Sequence, residues 1–357
     1  MSSYVELHCH SSFSFLDGAS SPLELAEKAA ELGYPTLALT DHDGVWGSME
    51  FAVACKGAGI RAITGTELTV EEGGRLFHLT LLVENETGYH NLCRLLTASH
   101  AHTRDGRDRR VGQPRVPLGD LAGRAEGLIC LTGGALGPIG QLVRQGRQQD
   151  AGDLAARLAT AFPTRLYVEL QRHHDAEGRP VPEEQAAEGG MIDIAYAQDL
   201  PLVATNDVYF PKPDLYDAHD ALICISERAY VDQTAPRRRL TPQHHFKTPA
   251  EMATLFADLP EAIENTVEIA RRCSLTVQLG KNFLPLFPTP EGMSLDDFLI
   301  QEAKAGLEER LAQLYPDPEA REQQRQRYED RLKFETDTII QMGFPGYFLI
   351  VADFIMW

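Results

Sequence analysis

Two histidines one residue apart, His8 and His10, close the alternating run Tyr4-Val5-Glu6-Leu7 near the start of the 357-residue chain. Successive side chains of an extended strand leave on opposite faces, so both imidazoles point to one side and can approach one cation. A lone His-x-His also fits an ordinary polar strand end, and its company raises it above that reading. Asp17, His42, Glu67, His100 and Asp207 each follow an apolar run or end a predicted helix, where α/β barrels gather their ligands. Imidazole with carboxylate suits zinc, manganese or iron, and a carboxylate can bridge two such ions. Cys9, between the two histidines, faces the other way and reads as packing.

The elements that must hold these residues alternate. Ser21-Pro22-Leu23-Glu24 is a capping box with proline at the first helical position, and it opens a helix that runs to about Leu32 and stops at Gly33. A short apolar strand over 36–39 ends in Thr40-Asp41-His42, a helix covers 48–56, and a strand over 61–64 leads into Gly65-Thr66-Glu67. A strand over 77–83 and a helix from about Thr87 to His100 continue the series. Further strands are predicted over 128–131, 166–170 and 201–204, with helices over 139–145, 151–161 and 183–197. About six or seven such units, with polar residues where strands end, point to an α/β barrel. Beyond Glu251 the pattern is helical: an amphipathic stretch over 260–273, the linker Leu284-Pro285-Leu286-Phe287-Pro288, and two charged helices over 295–314 and 318–342. An apolar run from Gly343 stops at Trp357, which is expected of a piece of a larger protein.

Composition narrows the partners. A formal charge of −19 disfavours a surface coated in nucleic acid, so any such contact must be local. Two stretches could supply it: the one holding Arg104, Arg107, Arg109, Arg110 and Arg115, and the triplet Arg237-Arg238-Arg239. Solvated loops are the plainer reading of both. The 6 cysteines include no Cys-x-x-Cys pair and read as reduced core residues. No apolar run is long enough to span a bilayer and no leader pattern opens the chain, so a cytoplasmic protein is expected. His78, His90, His102, His173, His174, His219, His244 and His245 have no ligating motif around them and read as surface or packing residues, His173 least clearly because it follows a strand.

Leu7-His8-Cys9-His10-Ser11 with Phe15-Leu16-Asp17-Gly18-Ala19, then Thr40-Asp41-His42, Gly65-Thr66-Glu67 and Ala204-Thr205-Asn206-Asp207, come in the order of the metal motifs of a known family. They resemble the PHP (polymerase and histidinol phosphatase) domain of bacterial DNA polymerase III alpha subunits, the family C polymerases. Leu240-Thr241-Pro242-Gln243 and Met342-Gly343-Phe344-Pro345-Gly346-Tyr347-Phe348 are similar to the segments that lead from that domain into the polymerase palm. The first hundred or so residues look most like the error-prone branch, and the part from about Gly127 onward most like the replicative branch.

The resemblance implies an α/β fold: a distorted (βα)7-type PHP barrel over 1–275, then a linker and the start of the palm over 276–357. It also implies divalent metal ions (Zn, Mn or Fe), one to three per chain, in a family pattern of nine ligands around three metals. Carried over residue by residue, His8, His10, Glu67 and Asp207 make one complete and catalytic site. Glu67 and His100 begin a second, with Gly134 where a Cys or His is expected. Asp17 and His42 begin a third, with Tyr209 in place of a histidine. The implied activity is metal-dependent phosphoester hydrolysis of the 3′–5′ exonuclease kind, in a parent that is a DNA-directed DNA polymerase of replication or repair. The alternative is an inactive scaffold that braces the polymerase and docks the proofreading exonuclease subunit. A free-standing histidinol-phosphatase-like enzyme is disfavoured by the tail from Leu240 onward. The implied partners are DNA, as substrate or through the parent, the proofreading subunit, and a sliding clamp only through a further C-terminal part; no membrane is implied.

Overall fold

Short apolar runs punctuated by glycine turns make one curled sheet, which the computed structural model describes within residues 4–101, 113–277, 280 and 284–357. Arg104, Arg107, Arg109, Arg110 and His102 lie outside the described residues. The strands are β1 (Thr36–Leu39), β2 (Arg61–Glu72), β3 (Arg75–Val83), β4 (Val116–Pro117), β5 (Leu128–Leu131), β6 (Leu166–Leu170) and β7 (Leu202–Ala204), in spatial order β1-β2-β3-β5-β6-β7 with β4 on β2. Helices α1 (Pro22–Glu31), α2 (Ser48–Ala58), α3 (Glu86–Ala101), α4 (Pro138–Arg144), α5 (Gln148–Ala161), α6 (Pro182–Ala197), α7 (Tyr216–Glu227), α8 (Pro249–Leu255) and α9 (Pro260–Arg272) complete this unit.

The extended segment through His8 joins the two edges of the sheet. Ala38 N donates to Glu6 O (3.1 Å) and Thr40 N to Cys9 O (2.8 Å) on the β1 side, while His10 N donates to Val208 O (2.8 Å) and Val208 N to His8 O (2.9 Å) beyond β7. One apolar cluster fills the interior: Val5, Leu7, Ala38, Ile63, Leu82, Ile129, Leu131, Tyr167 and Val203 come from the joining segment and from six of the strands, and Ile269, Ala270 and Cys273 at the end of α9 meet them. The opposite strand faces pack on the helices, through Leu25 and Ala29 of α1, Phe51 of α2, Leu92 and Leu95 of α3, and Leu154 and Leu158 of α5. Each fully buried side chain of this size contributes roughly 1.5–3 kcal/mol. With the apolar plug at one end, the polar strand ends gather at the other.

Two features depart from the expected strand–helix alternation. β2 does not stop before Glu67 but runs on to Glu72 and folds back on β3 as an antiparallel pair, with Glu72 opposite Arg75. Gly73 and Gly74 make the turn at φ +59° and +75°, a two-residue hairpin that glycine alone adopts without strain. Helix α7 was not expected either, because its buried face includes His219 and Asp220 and gives a weak apolar period.

The chain divides into two compact units, Met1–Val277 and Gln278–Trp357. The second holds α10 (Leu295–Leu314), α11 (Pro318–Gln341) and α12 (Pro345–Met356). Ser294 caps α10 by accepting from Asp297 N (3.1 Å), and Arg325 of α11 pairs with Glu308 of α10. The apolar run ahead of Trp357 is helix α12, which leaves Phe354, Ile355 and Met356 exposed. Among the described residues no single helix is long and apolar enough to cross a membrane.

The joining segment depends on one buried side chain of α9: Val5 N donates to Thr266 Oγ1 at 3.0 Å. Thr266→Val keeps the shape and strands that donor, so it should cost about 1–3 kcal/mol. Urea unfolding is the check: the midpoint should fall with an unchanged slope, and an unmoved midpoint would show that the bond does not hold the segment.

Candidate metal centre

His8 and His10 leave the joining segment on one side, as the alternation requires, and each ring is oriented through its Nδ1. His8 Nδ1 donates to Glu169 Oε1 of β6 at 2.8 Å. Glu169 is fully buried and is itself fixed by Thr205 Oγ1 (2.6 Å to Oε1) and Gly133 N (2.9 Å to Oε2). A carboxylate behind an imidazole sets its tautomer and aims the other nitrogen forward. His10 Nδ1 lies 3.3 Å from Ser14 Oγ, whose own proton goes to Asp41 Oδ1 (2.7 Å), so Ser14 can only accept from the ring. Both Nε2 atoms therefore face the same two carboxylates. His8 Nε2 is 3.6 Å from Asp207 Oδ1 and 3.7 Å from Glu67 Oε1, and His10 Nε2 is 3.1 Å from Asp207 Oδ1 and 3.8 Å from Glu67 Oε2.

Glu67 enters from β2, where it bridges to His42 in parallel register. Asp207 sits just past β7 at φ +46°, a left-handed conformation that costs energy for a residue other than glycine and is held by its surroundings. Those surroundings grip Asn206: its side-chain amide donates to Gln243 O (3.0 Å) and His245 O (2.8 Å), Lys247 Nζ donates to its Oδ1 (2.7 Å), and His173 Nε2 donates to its backbone oxygen (2.9 Å). His173 thus positions the loop that presents Asp207.

Burial would push the carboxyls of Glu67 and Asp207 up, but the imidazoles overturn it. His78 and His42 hold Glu67 well below the usual carboxylate range, and His8 and His10 do the same for Asp207. His8, which burial alone would depress, is pushed up to about 10 by Asp207, Glu169 and Glu67. Burial and the neighbouring His42 lower His10. Glu67 Oε2 is buried and accepts no hydrogen bond among the described residues, although His42 Nδ1 stands 2.6 Å from it as an ion-pair partner. Two groups offer ligand atoms within 4.8 Å of one another, His8/His10/Asp207 and His10/His42/Glu67. Converging imidazole nitrogens, two ionised carboxylates and a carboxylate oxygen that accepts no hydrogen bond among the described residues fit a divalent cation.

The other expected residues fall out differently. His100, at the end of α3, turns its Nε2 to the backbone oxygen of Asp43 (2.9 Å) and stands edge-on to Trp46, and it is in neither ligand group. His78, which the sequence reading left among the packing histidines, also bears on Glu67, whose carboxyl its charge helps to hold low. The His78 ring is 6.1 Å from that of His42, and its buried Nδ1 has no hydrogen-bond partner among the described residues. Gly134 supplies no ligand, and an added Cβ would fall 2.5 Å from Gln171 Oε1, so the Gln171 amide fills that corner. Asp17 meets His42 Nε2 (2.9 Å) through Oδ2 and Arg238 Nη1 (2.9 Å) through Oδ1. Tyr209 stacks on His10 with ring centroids 4.4 Å apart. The triplet read as a solvated basic loop is largely paired: Arg237 forms a two-pronged bond to Asp220 (2.6 and 2.5 Å), and Arg239 donates to Val231 O (3.0 Å).

Comparison with known proteins agrees with this arrangement. Residues 6–173 match the PHP domain family, and residues 297–357 match the family described as bacterial DNA polymerase III alpha NTPase domain. The DNA polymerase III subunit alpha of Neisseria meningitidis serogroup B is 42% identical over 358 residues, that of Escherichia coli K12 42% over 357, and that of Pseudomonas aeruginosa 44% over 359. Each alignment covers 99% of this chain. The chain belongs to the bacterial DNA polymerase III alpha family and carries its PHP domain. It spans 30% of the length of these polymerase III alpha relatives. The same relatives run through both units, so one family accounts for the barrel and for the helices after it.

Two outcomes follow from the geometry. Below about pH 10 the proton on His8 competes with a cation, so Mn²⁺ affinity should rise with pH between 6 and 8, by ~10-fold per unit for each proton displaced. Titration calorimetry in two buffers of different ionisation heat should then give different heats, and equal heats would mean that no ligand proton is displaced. Glu169→Gln should weaken Mn²⁺ binding by ~10–100-fold with the fold intact, because it loosens His8. Unchanged affinity would remove Glu169 from the account.

Proposed function

We propose that this chain is a metal-dependent phosphoesterase domain that hydrolyses phosphodiesters at DNA 3′ ends within a DNA polymerase III alpha-like parent. His8, His10, Glu67 and Asp207 hold the first cation, and Glu67 with His42 and His78 reaches toward a second. The observation that carries the reading is the convergence of His8 Nε2 and His10 Nε2 on Asp207 and Glu67, beside a Glu67 Oε2 that accepts no hydrogen bond among the described residues. When bound, a divalent cation there supplies Lewis-acid charge to phosphoryl oxygens and makes water a nucleophile near neutral pH. The chain's own part is preorganisation. Glu169 and Ser14 fix the two rings, the Asn206 network fixes the Asp207 turn, and the buried position excludes bulk water from the carboxylates. The formal charge of −19 limits DNA contact to the mouth of this site and to short basic stretches such as that around Arg107.

A second reading keeps the metal and drops the reaction. Gly134, with Gln171 in its corner, and Tyr209 each stand where a further ligand would be. Under that reading the barrel braces the polymerase and docks the proofreading exonuclease subunit. Primer extension belongs to the parent rather than to this stretch.

One experiment separates the readings: metal content and release of the terminal nucleotide from a 3′-labelled single strand, measured on the same protein with Mn²⁺ or Zn²⁺. Release should be metal-dependent, and Asp207→Asn should lower both occupancy and release, the latter at least ~100-fold, since even outer partners of a ligand are worth ~10–100-fold. Full loading with no release would favour the scaffold, and no loading would sink both.

A further inference from the structure

Asp17 and Glu67 flank His42, yet they are satisfied in opposite ways. Glu67 has a buried oxygen that accepts no hydrogen bond among the described residues and has His42 Nδ1 2.6 Å away, whereas both oxygens of Asp17 accept one, Oδ2 from His42 Nε2 (2.9 Å) and Oδ1 from Arg238 Nη1 (2.9 Å). Neither ligand group includes Asp17. Arg238 is not a passing surface residue. The Arg237–Asp220 pair and the Arg239–Val231 bond anchor its neighbours, Arg238 N donates to Glu227 Oε2 (3.3 Å), and its guanidinium carbon lies 5.9 Å from the centre of the Tyr209 ring. Asp17 is tied down from its own side, with His219 Nε2 donating to its backbone oxygen (2.7 Å) and Ala19 N donating to Tyr209 O (3.0 Å) beside it. Burial would raise the Asp17 carboxyl, and the His42 hydrogen bond with the Arg238 charge holds it low instead. A guanidinium never deprotonates, and its planar fork suits a carboxylate in a partly dry site better than any other side-chain cation.

We infer that Arg238 is a built-in cation that closes the Asp17 end of the row of ligand-type residues, so that the metal site stops at His42 and Asp17 is an ion-pair anchor rather than a ligand. Two features make the closure self-consistent. Tyr209 offers a ring to Arg238 and a face to His10, and a phenol is a poorer ligand than imidazole for such an ion. A divalent ion beside Asp17 would stand against the guanidinium that already lies 2.9 Å from Oδ1, a like-charge contact. Arg238 therefore acts as a positioning residue: it holds Asp17, and Asp17 holds the His42 ring whose Nδ1 faces Glu67. The inference rests on metal occupancy of the His8, His10, Glu67 and Asp207 cage.

The test is a count of ions per chain at saturating Mn²⁺, after gel filtration, for the wild type, Arg238→Lys, Tyr209→His, Asp17→Asn and the double variant Arg238→Gln/Tyr209→His. Circular dichroism and melting confirm that each variant is folded. The wild type, Arg238→Lys and Tyr209→His should hold the same number, because each keeps a cation on Asp17. Asp17→Asn should lose no ion, because the amide oxygen still accepts from His42 Nε2 and keeps that ring in place. The double variant, with the guanidinium removed and an imidazole supplied, should hold one more per chain than the wild type. Equal counts in the wild type and the double variant, or the loss of an ion in Asp17→Asn, would overturn the inference. Should the double variant fail to fold, the Asp17→Asn count decides alone. A wild type that binds no ion contradicts the metal cage itself, whereas an unchanged difference between wild type and double variant contradicts only the role of Arg238.

Discussion

Carboxylates buried at the polar end of the barrel must keep their charge, and everything near His8 is arranged around that constraint. Glu67, Glu169, Asp17 and Asp41 are buried and Asp207 is partly so, in surroundings where an unpaired carboxylate would cost several kcal/mol. Three devices meet the cost. Backbone and hydroxyl donors satisfy Asp41, which accepts from Ser11 N (2.7 Å), Ser11 Oγ (2.8 Å) and Ser14 Oγ (2.7 Å). A guanidinium satisfies Asp17. Imidazoles alone face Glu67 and Asp207, and in the absence of a cation they must borrow protons to do it, which is why His8 is pushed up to about 10. A divalent ion in place of those protons would supply the positive charge that the carboxylates require.

The fold supplies the constraint and its solution together. The segment that carries His8 and His10 also joins β1 to the run beyond β7, so the ligands sit on the seam of the barrel. Val5 and Leu7 enter the apolar interior, Cys9 packs on the helix side, and the two histidines stand at the polar end.

Much of this was legible before the structure. His8, His10, Glu67 and Asp207 lie at strand ends with recognisable neighbours, and the strand–helix rhythm identified the barrel. What escaped detection was governed by pairing rather than by local pattern. His78 has no motif, yet it lies two residues before Thr80, whose hydroxyl is 3.3 Å from His8 Nδ1, so strand alternation alone puts both on the site face of β3. That face became readable only once the Gly73-Gly74 hairpin was seen, because it brings β3 back alongside Glu67. Glu169 was visible as a charge inside the apolar run Leu166-Tyr167-Val168-Glu169-Leu170, a signal that a buried partner waits nearby. For His100 the signal was the end of a helix near a site, and the structure turns its Nε2 to the Asp43 backbone oxygen. Arg238 could not be told from a solvated loop, since its partner lies 221 residues away in the chain.

The claim on which all of this turns is the position of a cation among His8, His10, Glu67 and Asp207. Diffraction from crystals grown with Mn²⁺, recorded on both sides of the manganese absorption edge, tests it directly. The account predicts an anomalous peak within bonding distance of both Nε2 atoms, of Asp207 and of Glu67. A peak held by other residues, or none at saturating Mn²⁺ with these side chains ordered, would contradict it.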